Sequence, residues 1–162
     1  MNKEETVEYL QTMGVDFELT EHKAVYNMDE LGSVELPYPE WDAKNLFVRD
    51  DKKRNYYLIT VRGNKRVDLK KFRVDNGLRP LTFASPEDLS AILRLTPGSV
   101  TPLGLLNDSE HRVKLFLDRE FAGNIIGVHP NDNTATVWLQ ADSLVDLLRK
   151  AGAEVDFIGI EG

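Results

Sequence analysis

The fold is decided by residues 44–61, KNLFVRDDKKRNYYLITV. Two runs rich in β-branched and aromatic residues, 45–49 and 55–61, flank the charged segment 50–54. Apolar β-forming runs favour strands, and a short polar segment between them favours a turn. The pattern therefore predicts an antiparallel hairpin in the first half of the chain.

Further elements are predicted on both sides of this hairpin. Asn2 is a typical capping residue for a first helix that Gly14 ends. Ser85 and Pro86 favour another helix start, since proline is tolerated at the first helical position. Apolar residues at helical spacing predict a helix over 141–151, and a basic helical segment is expected over 66–74. The remaining predictions are strands at 81–84, 113–117, 125–128, 135–139 and 155–160, an extended segment around Phe17 and Leu19, a brief helix from Asn27 or Asp29, and a loop over 35–42.

Strands joined by short turns, with helices interspersed, predict an α+β fold with a mixed β-sheet flanked by helices. The chain has 162 residues, so residues 1–162 are expected to form a single domain. Cysteine is absent, which excludes disulfides and a cysteine nucleophile and suits a reducing compartment. No apolar run reaches membrane length and the first residues lack the apolar core of a signal peptide, so a cytoplasmic location is expected.

The charge is distributed unevenly along the chain, whose formal net charge is -7. Residues 49–79 hold 11 Lys or Arg against 4 Asp, a net of +7, whereas the remainder holds 9 against 23, a net of -14. A cationic segment on an acidic protein can bind a polyanion locally, while the rest repels general contact with nucleic acid. Solvated turns and a helix face explain the charge alone equally well.

A loop of unusual composition follows at residues 96–104, TPGSVTPLG. Its two prolines and two glycines disfavour both a helix and a central strand. The composition predicts a shaped loop whose backbone N–H groups can approach a ligand closely. A surface turn without a ligand is the alternative that composition leaves open.

Two further places carry residues with suitable chemistry. Lys44 and Asn45 stand at the head of the first hairpin strand, where a rigid base projects their side chains, although most lysines at strand ends are simply solvated. His129 precedes Pro130 at a predicted strand end, so its imidazole would keep one direction and could transfer a proton near neutral pH. A histidine that only caps the turn is an equally good interpretation.

Several catalytic motifs are missing from the sequence. It contains no Gly-x-Ser-x-Gly elbow, no Walker loop and no His-Glu-x-x-His, and its three histidines lack metal-ligand spacing. Covalent and metal mechanisms are therefore disfavoured, and neither a metal nor a cofactor is expected. An enzyme with these residues would use a positioned water and backbone donors.

Three segments together resemble the YbaK/ProX family of aminoacyl-tRNA editing proteins. They are residues 44–50, KNLFVRD, the loop 96–104, and 127–138, which begins GVHPN and ends with Trp138. The similarity covers nearly the whole chain and is greatest to the freestanding prolyl-tRNA editing branch, related to the insertion domain of bacterial prolyl-tRNA synthetase. It implies hydrolysis of the ester between alanine and the terminal adenosine of a proline tRNA. The implied partners are the acceptor end of tRNA(Pro) and prolyl-tRNA synthetase.

The resemblance also implies roles for individual residues. Lys44 matches the family's essential lysine, expected to hold charged or carbonyl groups of the substrate, with Asn45 beside it. His129 matches a pocket histidine expected to orient the aminoacyl group and to restrict the pocket to small side chains. The substrate-binding residues expected are Gly98, Ser99, Val100, Thr101, Pro102, Gly104, Gly127 and Arg79. The residues expected to follow acceptor-stem phosphates are Lys52, Lys53, Arg54, Lys70, Lys71 and Arg73.

One segment departs from the family pattern. Relatives usually have a small, Gly- and Thr-containing approach to the lysine, whereas this chain has ELPYPEWDA at 35–43. Trp41 and the acids are expected to reshape the pocket wall or the tRNA approach. This leaves cysteine or another small amino acid as an alternative to alanine. A tRNA-binding or synthetase-associated module without turnover is the non-enzymatic alternative.

Overall fold

The computed structural model describes residues 1–23 and 36–161, and the helix predicted from Asn27 or Asp29 lies outside them. The described α-helices are α1 (Lys3–Thr12), α2 (Leu69–Asp75), α3 (Pro86–Leu93) and α4 (Ala141–Lys150). The strands are β1 (Glu18–Glu21), β2 (Ala43–Asp50), β3 (Tyr56–Arg62), β4 (Leu81–Phe83), β5 (Val113–Asp118), β6 (Ile125–Val128), β7 (Ala135–Gln140) and β8 (Glu154–Ile158). The α+β prediction is confirmed.

The predicted hairpin is confirmed as β2 and β3, which pair antiparallel from Ala43↔Arg62 to Arg49↔Tyr56. These strands lie in a five-stranded mixed sheet of order β4-β2-β3-β5-β8. β4 is antiparallel to β2, whereas β5 and β8 continue the sheet in parallel. The sheet is therefore mixed, as the sequence predicts.

A second, antiparallel sheet of order β1-β7-β6 was not anticipated as a separate unit. It meets the larger sheet at one isolated parallel bridge between Asp42 and Gly127. Beyond this bridge the two strands separate: β2 continues to Asp50, and β6 ends at Val128. The junction therefore has the form of a fork between the two sheets.

The apolar residues form two clusters, one on each face of the larger sheet. The main cluster includes Phe47 and Leu58 and extends through α1, α3, α4 and the second sheet. The second cluster includes Val48, Ile59 and Phe72 and lies under α2. Because adjacent residues of a strand point to opposite faces, the two faces of β2 have different neighbours.

Local sequence signals explain the helix boundaries. Asn2 forms a capping box with Glu5, and Gly14 follows α1 with φ +72°. The Ser85 side chain accepts from the Asp88 N–H, with Pro86 in the first turn of α3. The loop 96–104 has no α-helix or strand; it is shaped by a short 3-10 turn, Pro97–Ser99, and by the start of a second, Pro102–Asn107. Each begins at a proline, whose fixed φ suits a first helical position.

Candidate active site

The loop 96–104 lies against the fork between the sheets and is held there by hydrogen bonds on both sides. On the β2 side, Asn45 Nδ2 donates to the Val100 carbonyl over 3.2 Å. On the β6 side, Thr101 Oγ1 donates to the His129 carbonyl over 2.7 Å. The structure thus brings Asn45, the loop and His129 together, although they are far apart in sequence.

Asn45 is itself fixed from behind. Its Oδ1 accepts from Thr60 Oγ1 on β3 over 2.6 Å. An amide whose oxygen and nitrogen are both hydrogen-bonded has one orientation, so the Asn45 side chain holds the loop in a fixed position. The proposed catalytic assignment of Asn45 therefore stays a prediction, while its positioning role has direct geometric support.

The loop hydroxyls are engaged within the protein. Thr101 is fully buried and its Oγ1 also accepts from the Leu103 N–H. Ser99 is buried and its hydroxyl contacts that of Thr96 over 3.3 Å. In the described part of the chain the backbone N–H groups of Val100 and Thr101 have no hydrogen-bond acceptor. Of these two residues only Val100 is partly exposed, so the loop presents the Val100 N–H as a backbone donor rather than a nucleophilic side chain.

His129 is half-buried at the end of β6, and its orientation is fixed. Its Nδ1 lies 2.8 Å from the Ala135 carbonyl, which can only accept, so Nδ1 carries the proton. Burial lowers the pKa of His129, and the nearby His22, whose ring centroid is 6.1 Å away, lowers it further, against an opposing effect of the Ala135 bond. The neutral imidazole therefore has its Nε2 lone pair available as an acceptor.

Lys44 lies on the opposite face of β2 from Asn45, the face of the second apolar cluster. It is half-buried, and burial followed by the charge of Arg66 lowers the pKa of Lys44. Within residues 1–23 and 36–161, no carboxylate lies within ion-pair distance of either cation. Lys44 and Arg66, two cations without a described carboxylate partner at the start of β2, would stabilise an anionic or polarised group.

Asp42 is a further titratable group at the fork. Its side chain is 6% exposed, and burial raises the pKa of Asp42 to about 7, although a hydrogen bond from the Ala43 N–H opposes this. Asp42 therefore exchanges its proton near neutral pH. The sequence offered no signal for this burial beyond the position of Asp42 two residues before Lys44.

Two of the predicted substrate-binding glycines are enclosed by apolar side chains. A Cβ at Gly127 would lie 2.3 Å from Trp138 Cζ3, and one at Gly104 would lie 2.5 Å from Leu95 Cδ1. Gly127 requires glycine because the rigid indole occupies the space that a Cβ would need, whereas at Gly104 the end of the Leu95 side chain would have to shift. Gly98, by contrast, is half-buried, and Pro102 is buried.

The structure does not bring Arg79 to the fork. Its guanidinium binds both carboxylate oxygens of Asp51, at 2.7 and 3.1 Å. Asp51 begins the β2–β3 turn, seven residues from Lys44, which is roughly 23 Å along an extended strand. Lys52, Lys53 and Arg54 are exposed in the same turn. A contact of Arg79 with the substrate stays a prediction.

The basic residues of α2 differ in their partners. Lys70 is exposed, Lys71 pairs with Asp75 and Glu161 at 3.2 Å each, and Arg73 donates to the Leu78 carbonyl. Lys70 is therefore freer to contact a phosphate than the other two. Their contact with tRNA stays a prediction.

Trp41 packs into the sheet junction. Its ring lies 6.1 Å from that of Phe121 and 4.8 Å under the Arg62 guanidinium. Neither contact involves the loop, Lys44 or His129, so the described contacts of Trp41 are packing contacts. An effect on the tRNA approach stays a prediction.

No group of three or more metal-ligating side chains occurs among the described residues. Over the same residues, no helix has the length and apolar character needed to cross a bilayer.

Comparison with known proteins gives consistent matches. A family model described as "Aminoacyl-tRNA editing domain" matches residues 22–147. The "Prolyl-tRNA editing protein ProX" of Acetoanaerobium sticklandii is 34% identical over 151 residues, covering 93% of this chain and 92% of its own. The "Prolyl-tRNA synthetase associated domain-containing protein 1" of Danio rerio is 31% identical over 151 residues, covering 91% of this chain and 82% of its own.

Solved structures share the fold. The crystal structure of "a putative trans-editing enzyme for prolyl tRNA synthetase" superposes with a TM-score of 0.72 at 22% identity, covering 100% of this chain and 98% of that chain. A second solved structure, that of a hypothetical protein, superposes with a TM-score of 0.70 at 20% identity, covering 98% of this chain and 99% of that chain.

Proposed function

Because the chain belongs to the aminoacyl-tRNA editing domain family, we propose that it is a trans-acting deacylase that hydrolyses mischarged alanyl-tRNA(Pro). The observation that carries the proposal is the fork itself. One loop, bonded to the Asn45 side chain on one side and to the His129 carbonyl on the other, presents the Val100 N–H as a backbone donor, and the His129 imidazole is held in one orientation. The acceptor end of tRNA(Pro) is the proposed partner, and prolyl-tRNA synthetase a second one.

Ester hydrolysis needs stabilisation of the negative charge that develops on the carbonyl oxygen. The backbone N–H of Val100, which is partly exposed, is the proposed donor, since a fixed N–H group stabilises such charge without reorganising. The attacking nucleophile is a water molecule, because the Thr101 and Ser99 hydroxyls are buried and bonded. His129 Nε2 accepts a hydrogen bond from the aminoacyl group or the water.

Lys44 and Arg66 supply positive charge on the other side of β2. A phosphate or polarised carbonyl of the acceptor end is the group that suits two cations without carboxylate partners. The exposed residues Lys52, Lys53, Arg54 and Lys70 are proposed to extend this attraction along the acceptor stem.

The choice of amino acid requires steric exclusion. A pocket that gains only a little apolar contact discriminates by roughly 1–3 kcal/mol, so proline must be refused by shape. The test is a deacylation panel of alanyl-, cysteinyl-, seryl- and prolyl-tRNA(Pro), each with and without protein. We expect the protein to accelerate loss of alanine and to spare proline. Cleavage of cysteinyl- but not alanyl-tRNA(Pro) would show that cysteine is the amino acid removed. If the protein accelerates the hydrolysis of none of the esters, a tRNA-binding module without turnover is supported instead.

The titration of His129 is a separate prediction. Burial and His22 disfavour the imidazolium, so the midpoint should lie below the usual value of about 6.5. The pKa of His129 is then lower in the folded than in the unfolded chain, so the unfolded chain binds the proton more readily. The stability linked to His129 is therefore fully present above about pH 6.5, the unfolded pKa, and is lost as the pH falls from there toward the folded pKa. NMR titration of the Cε1–H signal, assigned with His129→Asn, measures it. A midpoint at or above 6.5 is the contrary result.

A further inference from the structure

One edge of β2 is open beside the active-site loop. The Asp50 N–H donates to the Asn55 carbonyl, so the backbone groups of even-numbered β2 residues face β3. The Phe47 carbonyl accepts from the Ala84 N–H, so those of odd-numbered residues face the other edge. Along that edge β4 pairs from Val48 onward, the Ala84 N–H extends the contact to the Phe47 carbonyl, and Asp42 bridges Gly127.

The open stretch therefore offers a defined pair of backbone groups. Within residues 1–23 and 36–161, no segment pairs with this edge between Asp42 and the Phe47 carbonyl. The Asn45 carbonyl and the Phe47 N–H face it side by side, as residues i and i+2 of a strand do. This places one acceptor next to one donor on a rigid base.

A notch of about 220 Å³ lies at this edge, and its walls are mainly apolar. Val100 and Pro97 of the active-site loop form one wall, on the side of the main cluster. Phe83 lies opposite Val48 in the β2–β4 register, so it projects on the side of the second cluster. Phe83 is 60% exposed. A flat group bonded to the strand edge would thus have apolar surface on both of its faces.

We propose that this notch binds the adenine base of the 3′-terminal nucleotide. The Asn45 carbonyl accepts from the adenine N6 amino group, and the Phe47 N–H donates to N1. Proteins read unpaired bases in this way, by hydrogen bonds to the Watson–Crick edge and by stacking on aromatic side chains. The site rests on the proposed function, because the adjoining loop would then hold the aminoacyl ester carried by the same nucleotide.

Adenine fits this edge better than the other purine pattern does. Hypoxanthine and guanine present an acceptor at O6 and a donor at N1, which would face the Asn45 carbonyl and the Phe47 N–H with the wrong partners. Each buried group would then be left unpaired, which is a strong source of discrimination. Continuity with the loop through Val100 places the base next to the reacting end.

The test uses a non-hydrolysable amide, 3′-alanylamino-3′-deoxyadenosine, and its inosine counterpart, with binding measured by calorimetry on the full chain. We expect the inosine compound to bind at least tenfold more weakly. Phe83→Ala should weaken the adenosine compound about tenfold, because stacking on an aromatic is worth roughly 1–3 kcal/mol per base. Phe83→Tyr should retain binding. Leu19→Ala, at an exposed position of β1 in the second sheet, is the matched control and should leave binding unchanged.

Equal affinity for the two compounds, undetectable binding of the adenosine compound at millimolar concentration, or unchanged affinity in Phe83→Ala would overturn the adenine site. Deacylation of alanyl-tRNA(Pro) by the wild type, measured in parallel, separates this failure from that of the function. If the protein hydrolyses the ester but binds the two compounds equally, only the adenine site is refuted. A base preference without hydrolysis of any ester supports the notch and removes the deacylase.

Discussion

Lys44→Ala is expected to slow deacylation of alanyl-tRNA(Pro) by roughly 10²–10³-fold, the usual cost of removing one preorganised electrostatic group from an active site. Lys44 is half-buried beside Arg66, and no described carboxylate neutralises either charge. The charge is therefore available for the substrate. Single-turnover hydrolysis with protein in excess measures the effect on the chemical step.

The same variant should keep its fold. Burial and Arg66 both disfavour the charged form of Lys44, so removing this side chain takes away an unfavourable interaction, and the unfolding midpoint should be unchanged or higher. Lys150→Ala, at an exposed position at the end of α4, is the control and should retain full activity. A loss smaller than threefold in Lys44→Ala, with the fold intact, would remove this residue from the mechanism.

Gly127→Ala is expected to destabilise the protein by about 3 kcal/mol, near the upper end of overpacking costs. The added Cβ would lie 2.3 Å from Trp138 Cζ3 and 2.6 Å from Cε3. Trp138 cannot move aside easily, because it is 1% exposed and its Nε1 donates to Thr20 Oγ1 over 3.0 Å. The change would also displace His129, two residues further on. Chemical denaturation measures the free energy of unfolding.

Gly159→Ala is the matched control for this substitution. Its Cβ would meet only Arg119 Nη1, at 4.0 Å, and its φ is not in the left-handed region, so the free energy of unfolding should change by less than about 0.5 kcal/mol. Combining Gly127→Ala with Trp138→Leu should cost less than the sum of the two single changes, because the shortened side chain frees the same space. Strict additivity would show that the indole is not the obstacle.

Local signals in the sequence were sufficient for most of the fold. The β-forming runs around the charged turn predicted β2 and β3, and the caps at Asn2 and Ser85 predicted two helix starts. These features depend on nearby residues alone. The division into two sheets was not predicted, because it depends on the Asp42–Gly127 bridge between segments 85 positions apart in the numbering.

The site was predicted in part, and through family resemblance rather than local pattern. Nothing local indicates that Asn45 would hold Val100, or that Thr101 would hold His129, since these contacts depend on how the two sheets pack. Strand alternation does place Lys44 and Asn45 on opposite faces, and this could have been deduced in advance. The partner of Arg79, here Asp51, was not predicted, because the turn geometry that brings the two together is not specified by composition.

We propose that the loop 96–104 and His129 hold the aminoacyl ester, and that Lys44 binds another group of the acceptor end from the opposite face of β2. The most direct measurement is NMR titration of the labelled protein with 3′-alanylamino-3′-deoxyadenosine. We expect the largest shift changes at the amides of residues 44–47 and 98–101 and at the His129 ring. Changes confined to the other end of the larger sheet, at the cavity lined by Tyr57, Arg112 and Lys114, would contradict it.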